Sequence, residues 1–543
     1  MEALAGAGAL LGRGELLAAG EAPKRKAPFK VLFSNDTTHL GSCPSPFRKR
    51  GEPFKEAHLR ASVAETAGKG IDVHLLQPGL GWVPWWPSAV LPMKRHVEWL
   101  RQRGLAPNAF ESYVLNGGDL VRVFIDACRA CGEAPFVSLR LNDAHHIYRG
   151  GSAAPEAREK ALAEFQFFAD HPDCRIGPEV DGDERMRYML DWGRPEVRAY
   201  KLSLIEELCA NYEFDGLELD FMRHWIFFNL KRTTAEQRRA IQTEFVQQVR
   251  DRLDRSRKPG PRRWLCVRVP SYPETYDPMG LDLAAFAAAG VDMVNASSHY
   301  FTDGQLEIES LRRLLPASVA LYAEVQYVTA TSQKLTLPNI TQTLNANRRT
   351  TREQFNTVAH QAYARGADGI SAFNFQYYRG THNPTDVYGE PAEPPFEVFK
   401  GLGDPAWLAS QPQHYVLGLG QGHPKKKGRP FQDAVKPGEA VRLSLFMAPP
   451  AQGWQTAGRL RIQARTRLLG QPWRASLNGV PLAPTADVSE PYASPYVVGL
   501  GKPEEYLAWT VPASVLKAGV NEIELALLDG RPVHVTFLDL AIS

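Results

Sequence analysis

Past residue 28 the chain alternates short apolar runs with longer stretches in which apolar residues return every three or four positions. This is the pattern of strands separated by crossover helices in a parallel sheet. Eight runs read as strands: 29–34, 71–76, 134–141, 214–220, 264–269, 291–296, 319–325 and 368–375. Eight such units fit a closed (β/α)8 barrel better than an open doubly wound sheet, which has fewer strands and a glycine-rich first turn. No such turn follows Ser34. The intervening helices carry their own boundary signals. Thr234 with Gln237, and Thr351 with Gln354, have capping-box spacing, and Gly366 stands where the helix begun at Thr351 should stop. Val197, Tyr200, Leu204 and Leu208 share one face of the helix before the fourth strand, which should lie on the barrel.

From about Asp404 the pattern changes to strict alternation, as in Val441-Arg442-Leu443-Ser444-Leu445 and Arg459-Leu460-Arg461-Ile462-Gln463-Ala464, with turn signals at Asn478-Gly479 and Asp529-Gly530. An all-β sandwich, jelly-roll-like, is expected there. Trp509-Thr510-Val511-Pro512 and the run from Leu516 to Leu525 resemble the last strands of the galactose-binding-like domains appended to many glycosidases. The organisation expected is therefore a leader-like or disordered segment at 1–27, a barrel at 28–403 and a sandwich at 404–543. Lys425-Lys426-Lys427, beside Pro424 and Gly428, reads as a solvated loop.

Composition narrows the classes. No run approaches the roughly 18 apolar residues of a membrane span, and a net charge of +3 over 543 residues gives no field to attract nucleic acid. The six cysteines are too sparse for a disulfide framework, and Cys128-x-x-Cys131 has no second ligand pair at zinc-finger spacing, so packing or an adventitious disulfide is expected there. Residues 1–22 have the apolar and small-residue regions of an export leader without its basic start, resembling a truncated twin-arginine leader. Export to the periplasm or beyond is the expectation; a disordered cytoplasmic tail is the alternative.

In a barrel the functional groups gather where strands end in βα loops. The first strand ends in Asn35-Asp36-Thr37-Thr38-His39, and the third in Arg140-Leu141-Asn142-Asp143-Ala144-His145-His146. The sixth ends in Ser298-His299-Tyr300, the seventh carries Glu324, and the eighth ends in Asn374-Phe375-Gln376. The fourth strand gives the most. Side chains alternate along a strand, so Glu218 and Asp220 share one face while Leu217 and Leu219 take the other, with Asp220 about 6 to 7 Å nearer the mouth. Either acid aims at a substrate or pairs with Arg140, Arg223 or Arg268 to knit the interior.

Asp215-Gly216-Leu217-Glu218-Leu219-Asp220-Phe221-Met222-Arg223, preceded by Leu190-Asp191-Trp192-Gly193-Arg194-Pro195, resembles the signature of family-10-like glycosyl hydrolases, bacterial (β/α)8 barrels. The run from Arg140 to His146 and Val267-Arg268-Val269-Pro270 strengthen the likeness, while the Asn-Glu pair of true family 10 xylanases is missing from the fourth strand. The resemblance implies a carbohydrate substrate and hydrolysis of an O-glycosidic bond with no cofactor.

Such cleavage uses two carboxyls flanking the scissile bond. Asp220 is the first choice, with Arg223 and His224 following closely enough to tune it. Its partner is expected to be Glu324, in an apolar niche where it holds a proton, with Glu218 and Asp143 as fallbacks; Glu324 alternatively faces outward. Asp36, Arg140, Asn142, Asn374 and Tyr300 are expected to contact sugar hydroxyls. His39, His145, His146, His224 and His299 either do the same, bind a metal beside Asp36 and Asp143, or are satisfied structural groups. Trp82, Trp85 and Trp86, in a loop rich in glycine and proline, are expected to offer stacking faces to sugar rings or else to be buried under a neighbouring loop. Two rivals to a hydrolase remain: a carbohydrate-binding barrel without catalysis, and a metal-dependent hydrolase.

Overall fold

A computed structural model describes residues 26–79, 81–145, 166–178, 184–256, 261–331, 347–380, 392–419, 421, 429–496 and 500–543. The leader-like stretch up to residue 25, His146 and the lysine run 425–427 lie outside the described residues. Lys26 and Ala27 belong to the barrel: Lys26 Nζ pairs with Asp368 at 2.5 Å, and Ala27 packs beneath the barrel floor.

Each barrel strand is short and buried on both faces, as strands must be when helices cover the outside and side chains fill the inside. They are β1 (Val31–Asn35), β2 (Val73–Leu76), β3 (Ala134–Arg140), β4 (Gly216–Asp220), β5 (Trp264–Pro270), β6 (Met293–Ser297) and β7 (Ala320–Gln326). After an antiparallel excursion, β8 (Val328–Thr331) and β9 (Asn347–Arg349), the last barrel strand is β10 (Gly369–Phe373). The barrel is closed and parallel in the order β1-β10-β7-β6-β5-β4-β3-β2, and each strand overlaps one of the runs read from the sequence. The helix starts are also realised. Gln237 N donates to Thr234 Oγ1 at 3.2 Å and Thr234 N to Gln237 Oε1 at 2.8 Å, while Thr351 N donates to Gln354 Oε1 at 2.9 Å. No helix of the described residues is long and apolar enough to cross a membrane.

The C-terminal region holds two antiparallel sheets. One runs β11 (Gln413–Gly418), β19 (Val535–Ile542), β13 (Gly458–Ala464), β17 (Tyr506–Val511), β16 (Ala483–Thr485); the other runs β12 (Ala440–Met447), β18 (Gly519–Leu527), β14 (Trp473–Leu477), β15 (Val480–Pro481). The turn joining β14 to β15 is made by Asn478 and Gly479, both left-handed at φ 52° and 82°, the geometry that suits a two-residue hairpin. The sandwich has its own apolar core, including Leu445, Ile462, Leu477, Leu525 and Leu540.

Its seam with the barrel is polar as well as apolar. Ala330 of β8 packs on Val416 and Phe537, and Arg348 of β9 lies 4.2 Å over the Phe537 ring while donating to Gln463, Glu490 and Tyr506. Gln421 Nε2 reaches back to the carbonyls of Thr302 and Thr329 at 3.0 and 3.1 Å.

Candidate active site

Alternation along the strands layers the barrel interior. Leu32, Val73, Leu75, Phe136, Cys266, Met293, Ala320 and Tyr322 form an apolar floor. One residue pair further along, the same inward faces turn polar. Glu218 and Asp220 come from β4, Arg268 from β5 in register beside Asp220, Asn295 and Ser297 from β6, and Glu324 from β7. All of these side chains are buried, and a buried charge is tolerated only when paired and hydrogen-bonded.

Arg268 supplies the pairing. Its Nε and Nη2 donate to Glu324 Oε2 and Oε1 at 2.5 and 2.7 Å, and its Nη1 lies 3.1 and 3.2 Å from the two oxygens of Asp220. The Phe373 ring lies 4.2 Å from the guanidinium carbon. Burial works against the Arg268 cation, but Glu324 and Asp220 outweigh it and hold the group above the ordinary arginine range. Asp220 Oδ1 also accepts from Met222 N at 2.8 Å, so the carboxylate is oriented from two directions.

Glu324 points inward, but its niche is not apolar as expected. Besides Arg268 it accepts from Ser297 Oγ at 2.6 Å, Gln326 Nε2 at 2.5 Å and Asn295 Nδ2 at 3.3 Å. Both oxygens are engaged by donors, so the side chain is an acceptor that positions Arg268. Glu218, a layer below Asp220, accepts from Ser138 Oγ at 2.8 Å and Asn295 Nδ2 at 3.3 Å. Burial first, then the neighbouring Asp220, pushes it up to about 7.

Nearer the solvent a second network rings the mouth. Arg140, ending β3, puts Nη2 2.8 Å from Asp36 Oδ2 and Nη1 3.2 Å from Asp143 Oδ2. Burial would raise both acids. Arg140 and Arg223, with the Thr38 hydroxyl, hold Asp36 below the usual carboxylate range, and His145 and Arg140 do the same for Asp143. Asn374, left-handed at φ 60°, accepts the Asp36 N–H on Oδ1 at 3.0 Å and so couples β10 to β1. His145 Nδ1 sits 2.7 Å from Asp143 Oδ1 and its Nε2 2.6 Å from Arg223 Nη2, which makes Nδ1 the protonated nitrogen and Nε2 an acceptor. His224 Nδ1 accepts from Ala144 N at 3.1 Å, and burial lowers both His145 and His224 from the ordinary histidine value.

Across the mouth His299 is left-handed at φ 82°, a conformation uncommon for a bulky residue and often associated with functional positions. Its ring lies edge-on to Trp225 at 5.1 Å and to Tyr300 at 4.0 Å. Gln77, beyond the end of β2, and Gln376, in the turn after β10, have both side-chain amide atoms buried without a partner among the described residues. Orphaned groups of this kind call for a ligand or water.

Other expected site residues are placed elsewhere. Trp82, Trp85 and Trp86 are each 2% exposed, so they are core residues of their loop and do not form an open stacking platform. Trp82 Nε1 donates to Asp143 O and Trp86 Nε1 to Glu207 Oε2, both at 2.8 Å, while Trp85 stacks on Phe110 at 4.3 Å. Gly81, at φ 90°, lets this loop pass against β3; a Cβ there would lie 2.8 Å from Arg140 O. His39 is buried with both ring nitrogens used, by Asp36 O at 2.7 Å and Ser62 Oγ at 3.1 Å, and burial brings it down to about 4. Asn142 ties loops together through Leu190 O and Ile226 O. Of the three arginines the sequence offers to the fourth-strand acids, Arg268 is the one on Asp220, and Arg223, expected to tune that acid, is not.

Arg268 takes the ion-pair role that the sequence offers it: a charge inside the apolar run Leu265-Cys266-Val267-Arg268-Val269 has to meet a buried acid. Lys201 is the residue that the sequence reading does not single out. Lys201 falls four residues after Val197, on the buried stripe of the helix Pro195–Asn211, a position that betrays it. Its Nζ donates to Gly81 O and to Arg140 O, the latter at 3.1 Å, and burial lowers it to about 7. All six cysteines are free thiols. Two groups of potential metal ligands occur among the described residues: His74, Cys128 and Glu133 in the helix layer behind β2, and His171, Asp173 and Cys174 in the β3–β4 connection. Neither includes a carboxylate of the mouth.

No protein-family model matches the sequence, and no curated protein sequence matches it. Solved structures that match include an α-galactosidase from Geobacillus stearothermophilus in complex with raffinose, at 12% identity and TM-score 0.36, covering 96% of this chain and 56% of that one. A maltogenic α-amylase from Thermotoga neapolitana matches at 10% identity and TM-score 0.37, over 94% and 98% of the two chains. A cycloisomaltooligosaccharide glucanotransferase from Paenibacillus sp. matches at 10% identity and TM-score 0.31, over 95% and 57%. The chain thus spans little more than half the length of the first and third of these proteins.

Proposed function

We propose that this chain is a glycoside hydrolase acting at the C-terminal mouth of its barrel, with Asp220 as the reacting carboxylate. The observation that carries this reading is the placement of Asp220. It ends β4 facing inward, oriented by the Arg268 guanidinium and the Met222 amide, beneath a mouth rich in hydrogen-bonding groups. A fixed carboxylate is what attack on, or activation of water at, an anomeric carbon requires. Glu218, retaining its proton near neutrality, spares Asp220 a like charge on the same strand face. Glu324 acts through Arg268 as a positioning residue. The likeness of segment 215–223 to the family-10-like signature points the same way, and export, resting on the leader-like start, fits a polysaccharide or oligosaccharide substrate.

A second reading, a carbohydrate-binding barrel without catalysis, is favoured by one observation: the side chains of Asp220 and Glu324 are sealed at 0% exposure and both are committed to Arg268. Release of reducing sugar across a panel of neutral and acidic polysaccharides separates the two. The hydrolase reading expects release from at least one substrate; binding to a glycan with no release from any member supports the second.

A further inference from the structure

Four acids of the mouth and the barrel interior already have cationic partners or donors. Asp36 is held by Arg140 and Thr38, Asp143 by His145 and Arg140, Asp220 and Glu324 by Arg268. Arg223 stands apart from these pairs. Among the described residues no carboxylate lies within ion-pair distance of it; its contacts are the neutral acceptor His145 Nε2 at 2.6 Å and the Tyr300 ring at 5.4 Å, while its buried Nε has no partner. A guanidinium offers five N–H donors in a planar fork, and among the described residues only the Nη2 contact to His145 engages it.

The surroundings work against this cation as they stand. Burial first, then the like charge of Arg140, lowers Arg223 from the ordinary arginine range, with Asp36 and Asp143 only partly offsetting them. Its direction is nevertheless fixed: Asp143 orients His145, and the His145 lone pair orients the guanidinium. A pre-aimed, partly desolvated cation with no carboxylate within ion-pair distance among the described residues is a binding element for an anion brought by the ligand.

We propose that Arg223 recognises an acidic substituent, a carboxylate or a sulfate, on a sugar ring held at the mouth, so that the substrate class is acidic saccharides. This rests on the saccharide reading of the same mouth. The anion would accept the free fork of Arg223, with the Tyr300 ring beside it.

The test compares three trisaccharide probes of matched backbone, hexuronate-containing, O-sulfated and neutral, by calorimetric titration against the full chain at low and high salt. At least one acidic probe is expected to bind roughly tenfold tighter than the neutral one, with the preference shrinking as salt rises; whichever acid is preferred identifies the substituent. Arg223→Gln should bring the preference to near unity and Arg223→Lys should retain part of it. Equal affinity of the neutral and both acidic probes for the unaltered protein overturns the proposal, and this comparison needs no variant to fold. Hydrolysis of the neutral probe alongside equal affinities leaves the hydrolase reading standing without the anion subsite. Acid-selective binding with no hydrolysis of any probe leaves the subsite and removes the hydrolase.

Discussion

Asp220 and Glu324 stand on β4 and β7, with two strands between them, and meet only through Arg268, which gives one edge of its guanidinium to each. The same side chain therefore secures two fully buried carboxylates and sets the orientation of the proposed reacting one.

Removing that side chain should be costly. Arg268→Met leaves two buried carboxylates without their cation, and a loss of roughly 3–5 kcal/mol in urea unfolding is expected. Arg268→Lys keeps the charge but not the fork and should recover part of the loss. If Arg268→Met unfolds at the same urea concentration as the unaltered chain, the interior network is not what holds these strands.

Glu324→Gln tests how that residue acts. Because Glu324 positions Arg268, the variant should lose comparable activity on substrates with poor and with activated leaving groups. A loss confined to poor leaving groups would make Glu324 the proton donor, in agreement with the sequence expectation and against the contacts seen.

Glu218 predicts a pH dependence. A folded-state value raised from 4.5 to about 7 corresponds to roughly 3 kcal/mol. The folded chain binds more protons than the unfolded one between these values. The contribution is therefore complete below pH 4.5 and is lost as pH rises through about 7. Glu218→Gln should flatten that segment of the stability–pH profile measured by denaturant titration; an unchanged slope would show that Glu218 ionises at its ordinary value.

The tryptophan loop tests burial against binding. Trp82→Ala, Trp85→Ala and Trp86→Ala should each cost about 3–5 kcal/mol, as for a buried aromatic. Unchanged melting with weakened sugar binding would return these residues to the role of a stacking platform.

What was legible in the sequence was what periodicity encodes. All eight barrel strands, the capping boxes at Thr234 and Thr351, and the Asn478-Gly479 turn follow from local pattern, because the buried face of a strand and the first turn of a helix impose their chemistry residue by residue. The inward aim of Asp220 and Glu218 came from the same alternation. Pairing was not legible. That Arg268 rather than Arg223 meets Asp220 depends on the register of β4 against β5. That Trp82 and Trp86 turn inward depends on Asp143 and Glu207, residues 61 and 121 positions away, accepting their N–H groups, and Trp85 stacks on Phe110. Partners so distant in sequence leave no local trace.

The central claim, that Asp220 is the reacting carboxylate, is tested most directly by Asp220→Asn on a polysaccharide that the unaltered chain cleaves. The change preserves shape and removes the charge. Turnover should fall by at least about a thousandfold while the glycan still binds and the protein still folds. Retention of full turnover would contradict the account.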